Sequence, residues 1–160
     1  MIEGVLVKKL KVIPDERGRL MEILRNDDEC FSKFGQVYMT TTLPGVVKGF
    51  HLHHVQTDQV CCVHGMIKLV LFDIREGSKT ENDVNEIFLG EHNPLLVTIP
   101  ENVLHGWKCV SLHEAIIINA PSETYNYKEP DEYRVDPHDE DDQMKKLGCI
   151  VPYKWDKKDF

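Results

Sequence analysis

Short runs of hydrophobic residues, many alternating with polar ones, recur along the whole chain. Val5 and Val7 alternate with their neighbours, and the stretch from Met66 is almost continuously apolar or β-branched. Gly, Pro and Asn separate the runs, as between strands of a β-protein. The pattern predicts strands at 4–12, 19–24, 36–42, 46–53, 59–64, 66–74, 86–89, 95–99 and 114–119. A single helix of about two turns is predicted at 27–34.

The order of these elements predicts an all-β domain with very little helix. No strand–helix–strand alternation occurs, so a parallel α/β sheet is excluded, and a double-sheet jelly roll is the expected architecture. Residues 1–160 are expected to form one domain. Within it, an acidic stretch at about 136–147 is predicted to be a solvated loop, and a tail at 148–160 is predicted to dock back on the domain because 149–155 is apolar.

Composition and charge narrow the classes of function. The net charge is −8 and no basic cluster is present, which argues against a nucleic-acid partner. No apolar run reaches the roughly 18 residues that span a bilayer, and the first residues lack the pattern of a signal peptide, so no membrane association is expected. The five cysteines form no CxxC pair and are odd in number. We therefore expect a cytoplasmic protein without a disulfide framework.

The histidines that are candidates for a chemical role lie in two stretches of the sequence. His51 and His53 are two residues apart in a predicted strand, so their side chains share one face. His105 follows in the second stretch, between Pro100 and Trp107. Three imidazoles on an inward face can bind a metal ion or transfer protons, and the pattern alone leaves both possibilities open.

Two motifs resemble those of the cupin superfamily. The pattern G-x5-H-x-H-x4-D-x6-G spans residues 45–65, and P-x-N-x2-H spans 100–105. The resemblance implies a double-stranded β-helix, the cupin jelly roll. In metal-binding cupins these motifs supply the ligands, so it also implies an alternative function as an enzyme with one divalent transition metal on His51, His53, Asp58 and His105.

A closer resemblance is to the dTDP-4-dehydrorhamnose 3,5-epimerase family within the cupins. The shared motifs run from about residue 4 to 137. They are D-x-R-G at 15–18 followed by Glu22, G-V-x-[basic]-G-[aromatic]-H at 45–51, D-x-R-x-G-S-x-T at 73–80, E-x-N at 91–93, I-P-E at 99–101 and H-G-W at 105–107. The resemblance implies an isomerase of deoxysugar and polysaccharide biosynthesis, acting without a cofactor on a nucleoside-diphosphate 4-keto-6-deoxyhexose.

The same resemblance implies roles for individual residues. His51 would be the base that removes a proton beside the ketone, Asp136 its carboxylate partner, and His105 a further catalytic residue. The family forms homodimers in which the N-terminal strand pairs with the partner subunit and carries Arg17 toward its pocket. The expected substrate-binding residues are Arg17, Gln36, Tyr38, Lys48, Gln59, Arg75 and Tyr125.

Apart from Lys48, which stands where the family has an arginine, two positions depart from the family pattern. Cys61 stands where the family has a lysine, and Ile118 stands where it has the tyrosine that acts as acid. Tyr38 and Tyr125 are then the candidates for the acid. The departures also leave open a non-catalytic protein that binds a sugar nucleotide.

Overall fold

The computed structural model describes residues 1–138 and 153–156, and its strands build two sheets and a separate hairpin. The strands are β1 (Leu6–Lys9), β2 (Val12–Asp15), β3 (Gly18–Met21), β4 (Tyr38–Thr42), β5 (Val47–Leu52), β6 (Asp58–His64), β7 (Met66–Asp73), β8 (Val84–Gly90), β9 (Leu95–Ile99), β10 (Val103–Cys109), β11 (Ala115–Asn119) and β12 (Tyr133–Arg134). No helix occurs among these described residues. In the same part of the chain, no helix is long and apolar enough to cross a membrane.

Two five-stranded antiparallel sheets pack around the main core. One has the order β1-β9-β6-β11-β4 and the other β12-β5-β10-β7-β8. Their facing side chains include Val60, Leu69, Leu71, Val97 and Ile117, all fully or almost fully buried. Alternation along each strand sends one set of side chains into this core and the other outward. The expected all-β jelly roll is confirmed.

The outer faces of the two sheets are covered by different segments. Cys61 and Leu96 lie on the outer face of the first sheet, beneath Leu10 and Cys30. On the second sheet, Phe50 packs against Trp155, with ring centroids 5.4 Å apart. The double-sheet core therefore extends outward on both sides.

Local hydrogen bonds replace the predicted helix at 27–34 with turns. The Asp28 carboxylate accepts the backbone N–H of Arg25 at 2.8 Å and the Lys8 ammonium at 2.5 Å. Aspartate side chains that bond nearby backbone N–H groups favour turns over helix, so the helix prediction was wrong.

Two differences between the predicted and the observed strands concern the N-terminal segment and β10. The predicted strand at 4–12 is divided, because Leu10 leaves β1 to bond Pro94 and is buried, after which β2 pairs with β3 in a hairpin. Pro14 lies within β2, where a two-stranded hairpin tolerates a residue without N–H. Strand β10, which carries His105, was not among the predicted strands, because Gly106 and Lys108 interrupt its apolar pattern.

Candidate active site

The site begins where β5 and β10 lie side by side. His105 pairs directly with His51, and the register shifts by one residue immediately beyond this pair. At the shift the two backbones approach closely, since a Cβ built on Gly49 would lie 2.7 Å from the Cα of Gly106. Only glycine fits there, and Gly49 also has φ +149°, which disfavours other residues. The two glycines therefore allow the approach that brings the two histidines together.

A buried triad of His53, Asp58 and His105 occupies the floor of the site. Oδ2 of Asp58 lies 3.2 Å from Nε2 of His105 and 3.5 Å from Nε2 of His53. Backbone carbonyls fix the other ring nitrogens, since Nδ1 of His105 lies 3.0 Å from the Val103 oxygen and Nδ1 of His53 lies 2.5 Å from the Asp131 oxygen. All three side chains are buried.

The contacts within the triad change the pKa of Asp58 and of His53. Burial opposes ionisation of Asp58, but the hydrogen bonds from His105 and His53 outweigh it and hold the pKa of Asp58 well below its usual range. Burial likewise opposes the charged form of His53, yet the hydrogen bond to Asp58 raises its pKa. The floor of the site thus carries an ionised carboxylate beside an imidazole that is more basic than usual.

His51 has a different environment from the triad. Its Nδ1 lies 3.1 Å from Oε1 of Glu132, and its ring stacks against Trp107 at a centroid distance of 6.2 Å. Burial lowers the pKa of His51 to about 4, helped by the nearby His105. Burial opposes ionisation of Glu132, but its hydrogen bond with Arg134 lowers the pKa of that carboxyl. At neutral pH a neutral imidazole therefore bonds an ionised carboxylate.

A cavity of about 1120 Å³ opens above these histidines. It receives His51 and His105 from one sheet and Tyr38 and Thr40 from the other. Its further lining includes Gln36, Lys48, Trp107, Tyr125, Tyr127, Glu129 and Arg134. Its volume is slightly above the upper end of the range for small-molecule sites, about 1,000 Å³, and its polar groups suit a hydroxylated ligand.

Several expected site residues do line this cavity. The Tyr38 hydroxyl accepts a hydrogen bond from Asn119 at 2.9 Å, and burial raises the pKa of Tyr38 to about 12, so that its phenol stays protonated. The Lys48 ammonium donates to Oγ1 of Thr40 at 2.9 Å and to the Thr41 oxygen at 2.6 Å. Tyr125 lies beside Tyr127 with ring centroids 5.0 Å apart. Gln36, His51 and His105 complete this group.

The carboxylate beside His51 is Glu132 and not Asp136, which corrects the sequence-based pairing. Pairing of Arg134 with His51 places Glu132 within reach of the ring. Strand β12 then ends, and the exposed Asp136 carboxylate accepts the backbone N–H of His138 at 2.8 Å.

Three other expected substrate contacts lie away from the cavity that the described residues enclose. Gln59 points to the outer face of its sheet, where Nε2 donates to the Cys30 oxygen at 2.6 Å. The Arg75 guanidinium donates two hydrogen bonds to the Asp73 carboxylate, at 2.7 and 2.8 Å. Arg17 lies at the tip of the β2–β3 hairpin with 84% of its side chain exposed.

The two positions that depart from the family pattern also face away from the cavity. Ile118 pairs with Cys61 on neighbouring strands, and Cys61 belongs to the outer cluster with Leu96. Their neighbours Asn119 and Cys62 point inward instead, and Asn119 donates to the Tyr38 hydroxyl at 2.9 Å. Neither Cys61 nor Ile118 therefore stands in the place of a reacting group inside the site.

Sequence reasoning missed Asp131 and Glu132, which lie just before the two-residue strand β12. The Asp131 carboxylate accepts three backbone N–H groups, from His54, Val55 and Gln56, and so fixes the loop after His53. So short a strand has no detectable periodicity. The only available signal was the adjacent acid pair itself, in Pro-Asp-Glu-Tyr-Arg at 130–134.

Comparison with known proteins identifies a family for the chain. The family model described as dTDP-4-dehydrorhamnose 3,5-epimerase matches residues 1–159. The spore coat polysaccharide biosynthesis protein SpsL of Bacillus subtilis is 39% identical over 140 residues, covering 88% of this chain and 93% of that protein. The probable low-salt glycan biosynthesis epimerase Agl13 of Haloferax volcanii is 37% identical over 140 residues, covering 86% and 89%.

A solved structure extends the similarity to the fold. The dTDP sugar isomerase of Desulfovibrio desulfuricans G20 superposes with a TM-score of 0.84 at 28% identity, covering 96% of this chain and 92% of that one. The match of the family model over nearly the whole chain, together with the two relatives above 30% identity, establishes the relationship. The chain belongs to the dTDP-4-dehydrorhamnose 3,5-epimerase family of sugar-nucleotide isomerases.

Proposed function

We propose that this protein epimerises a 4-keto-6-deoxyhexose carried on a nucleoside diphosphate, with His51 as the base. The ketone acidifies the protons on its two neighbouring carbons. Removal of one proton gives an enolate, and return of a proton to the opposite face inverts that centre. The observation that carries the proposal is the contact of His51 Nδ1 with Glu132, inside a cavity large enough for the sugar.

The environment of His51 suits a base. A carboxylate only accepts hydrogen bonds, so Glu132 keeps the proton of neutral His51 on Nδ1 and leaves the Nε2 lone pair free. The lowered pKa keeps the imidazole neutral at physiological pH. When Nε2 takes a proton from the substrate, the ionised Glu132 stabilises the resulting imidazolium.

A phenol is the proposed source of the returning proton. Tyr38 lies on the sheet opposite His51, so a sugar between the two sheets would present its two faces to base and acid. Its raised pKa keeps the donor protonated. Tyr125 is the second candidate, because it also lines the cavity.

Binding of the anionic nucleotide requires positively charged side chains, and the described lining of the cavity has few of them. Lys48 and Arg134 are the cations of its described lining, and Arg134 is engaged by Glu132. We propose that a second subunit supplies the missing charge. The β2–β3 hairpin presents Arg17 at its tip and exposes Ile13 and Leu20, and β1 is an edge strand, which together fit a homodimer.

We propose that the reaction needs no metal ion, since the base and both candidate acids are side chains of the chain itself. The test is exchange of substrate protons with solvent deuterium, using a nucleotide-linked 4-keto-6-deoxyhexose and protein treated with chelator. Exchange that survives chelation supports the proposal. Absence of exchange in folded protein that still binds the sugar nucleotide would favour a binding function.

One observation favours a second candidate, a metal-dependent enzyme. Nε2 of His53, Nε2 of His105 and a carboxylate oxygen of Asp58 lie within 4.8 Å of one another. Both Nδ1 atoms bond backbone carbonyls, an arrangement that often orients histidine ligands. The residues therefore fit a divalent transition metal, which would polarise the ketone oxygen. His51, the fourth expected ligand, lies outside this group and contacts Glu132 instead. Restoration of activity by added metal alone would support this candidate.

A further inference from the structure

A second group of potential ligands lies at the other end of the barrel. We propose that His64, Glu91 and His113 form a binding site for a divalent transition-metal ion of the Zn²⁺ type, separate from the active site. Strand β6 begins with Asp58 in the active site and ends with His64. Six residues of extended strand span about 20 Å, so the two sites are far apart.

The donor atoms already converge on one oxygen. Oε2 of Glu91 lies 3.3 Å from Nδ1 of His64 and 3.6 Å from Nε2 of His113. A tetrahedral ion with bonds of about 2.1 Å separates its ligand atoms by about 3.4 Å. The observed spacings are therefore close to those of a bound ion, and small side-chain rotations would suffice.

Backbone hydrogen bonds hold the three contributing segments in place. The Gly65 N–H donates to Oε2 of Glu91 at 2.9 Å, and the Glu91 N–H donates to the Gly65 oxygen at 3.0 Å. Ser111 ties the third segment, since Oγ accepts the Met66 N–H at 3.1 Å and donates to the His113 oxygen at 2.9 Å. The site is thus built from a strand end and two turns that are fixed to one another.

The electrostatics of this group suit a cation. The backbone N–H of Gly65 is the main cause that lowers the pKa of Glu91 to about 2, so the carboxylate is ionised. The His64 and His113 side chains are 45% and 54% exposed, which leaves solvent access and room for water ligands. Two imidazoles and one carboxylate favour zinc and its transition-metal neighbours over magnesium or calcium.

The positive charge of Arg19 opposes binding of a cation at this group. Its guanidinium lies 3.1 Å from Oε1 of Glu91, so Oε2, which also accepts the Gly65 N–H, is the carboxylate oxygen beside the histidines. Binding would therefore be monodentate at Glu91, and the positive charge nearby would weaken it. Replacing Arg19 with Gln should tighten binding, whereas a fortuitous site elsewhere would not respond.

The experiment is a Zn²⁺ titration by calorimetry, using full-length, tag-free protein stripped of metal. His64→Asn and His113→Asn should each weaken the site by at least about 10-fold, because each removes a ligand. His92→Asn is the matched control, since this exposed histidine adjoins Glu91 but lies outside the group. His53→Asn separates the site from the active-site triad, and circular dichroism confirms that each variant is folded.

Each result of the titration either supports or overturns the proposed site. Weakening by both His64→Asn and His113→Asn, with His92→Asn and His53→Asn unchanged, supports the site, and Arg19→Gln should then bind more tightly. No Zn²⁺ binding at micromolar concentration would overturn the proposal. It would also be overturned by binding that only His53→Asn reduces, or that His92→Asn reduces equally. Epimerase activity is not a readout here, so the proposed function stands or fails separately.

Discussion

Nδ1 of His51 lies 3.1 Å from Oε1 of Glu132, and this contact determines which nitrogen of the imidazole can accept a proton. The contact joins β5 to the segment just before β12, which pair through Arg134 and His51. Because Glu132 can only accept a hydrogen bond when ionised, the free lone pair belongs to Nε2. We therefore propose for Glu132 the positioning role that the family resemblance had implied for Asp136.

Replacing Glu132 should slow proton exchange more than replacing Asp136. Glu132→Gln keeps the shape but removes the charge that supports the imidazolium, so exchange should fall by about 10-fold to 10²-fold. Asp136→Asn is the matched control and should leave the rate almost unchanged, since this carboxylate is exposed and bonded to His138. The reverse order of effects would contradict the assignment. Deuterium incorporation followed by mass spectrometry measures both.

The pH dependence of exchange should reflect the lowered pKa of His51. Burial favours the neutral form, so the base is available above about pH 4 and is lost as pH falls through that value. Titration of His51 should therefore change the exchange rate little between pH 6 and 8. An acid limb centred near pH 6.5, the value of an exposed histidine, would show that His51 is not the titrating base.

The same shift has a consequence for stability. In the unfolded chain His51 takes up a proton below about pH 6.5, whereas in the folded protein it resists protonation down to about pH 4. Its contribution to the free energy of unfolding should therefore decrease as pH falls between these values. In His51→Asn this part of the pH dependence should be absent, as measured by urea denaturation at several pH values.

The two tyrosines of the cavity can be separated by single-atom changes. Tyr38→Phe and Tyr125→Phe each remove one hydroxyl while keeping the ring. The variant that lacks the acid should still exchange the substrate proton through His51, but should lose formation of the inverted product by about 10²-fold. Equal retention of product by both variants would exclude a phenol as the acid.

Subunit association should depend on the exposed apolar residues of the β2–β3 hairpin. Ile13 and Leu20 are 47% and 58% exposed in the single chain. The wild-type protein should be a dimer by light scattering at micromolar concentration, and Leu20→Asp should shift it toward the monomer. Arg19→Gln is the control, because it replaces a polar residue of the same hairpin and keeps Ile13 and Leu20. A wild-type mass near 18.5 kDa would contradict the dimer.

Sequence patterns predicted the parts of this molecule that depend on local alternation. Strand β9 matched its predicted bounds, and His51 and His53 both reach the site as their spacing requires. The sequence could not predict that His105 pairs directly with His51, because this pairing depends on the close approach of Gly49 and Gly106. Such an approach is a property of two distant segments.

The partner of His51 was mispredicted for a related reason. Glu132 and Asp136 are both acids close to a two-residue strand, and only the register of β12 against β5 decides which one reaches the ring. A similar limit affected Cys61 and Ile118, whose positions suggested lost catalytic groups. The alternation of β6 and β11 turns both side chains to the outer face of the sheet.

We propose that His51, and not a metal ion on the neighbouring triad, removes the substrate proton. The most direct measurement compares His51→Asn with His53→Asn in deuterium exchange, with the metal content of both proteins determined in parallel. We predict that His51→Asn lowers exchange by at least about 10²-fold, while His53→Asn has a much milder effect and neither change follows metal content. Equal losses in the two variants, accompanied by loss of a bound ion, would contradict it.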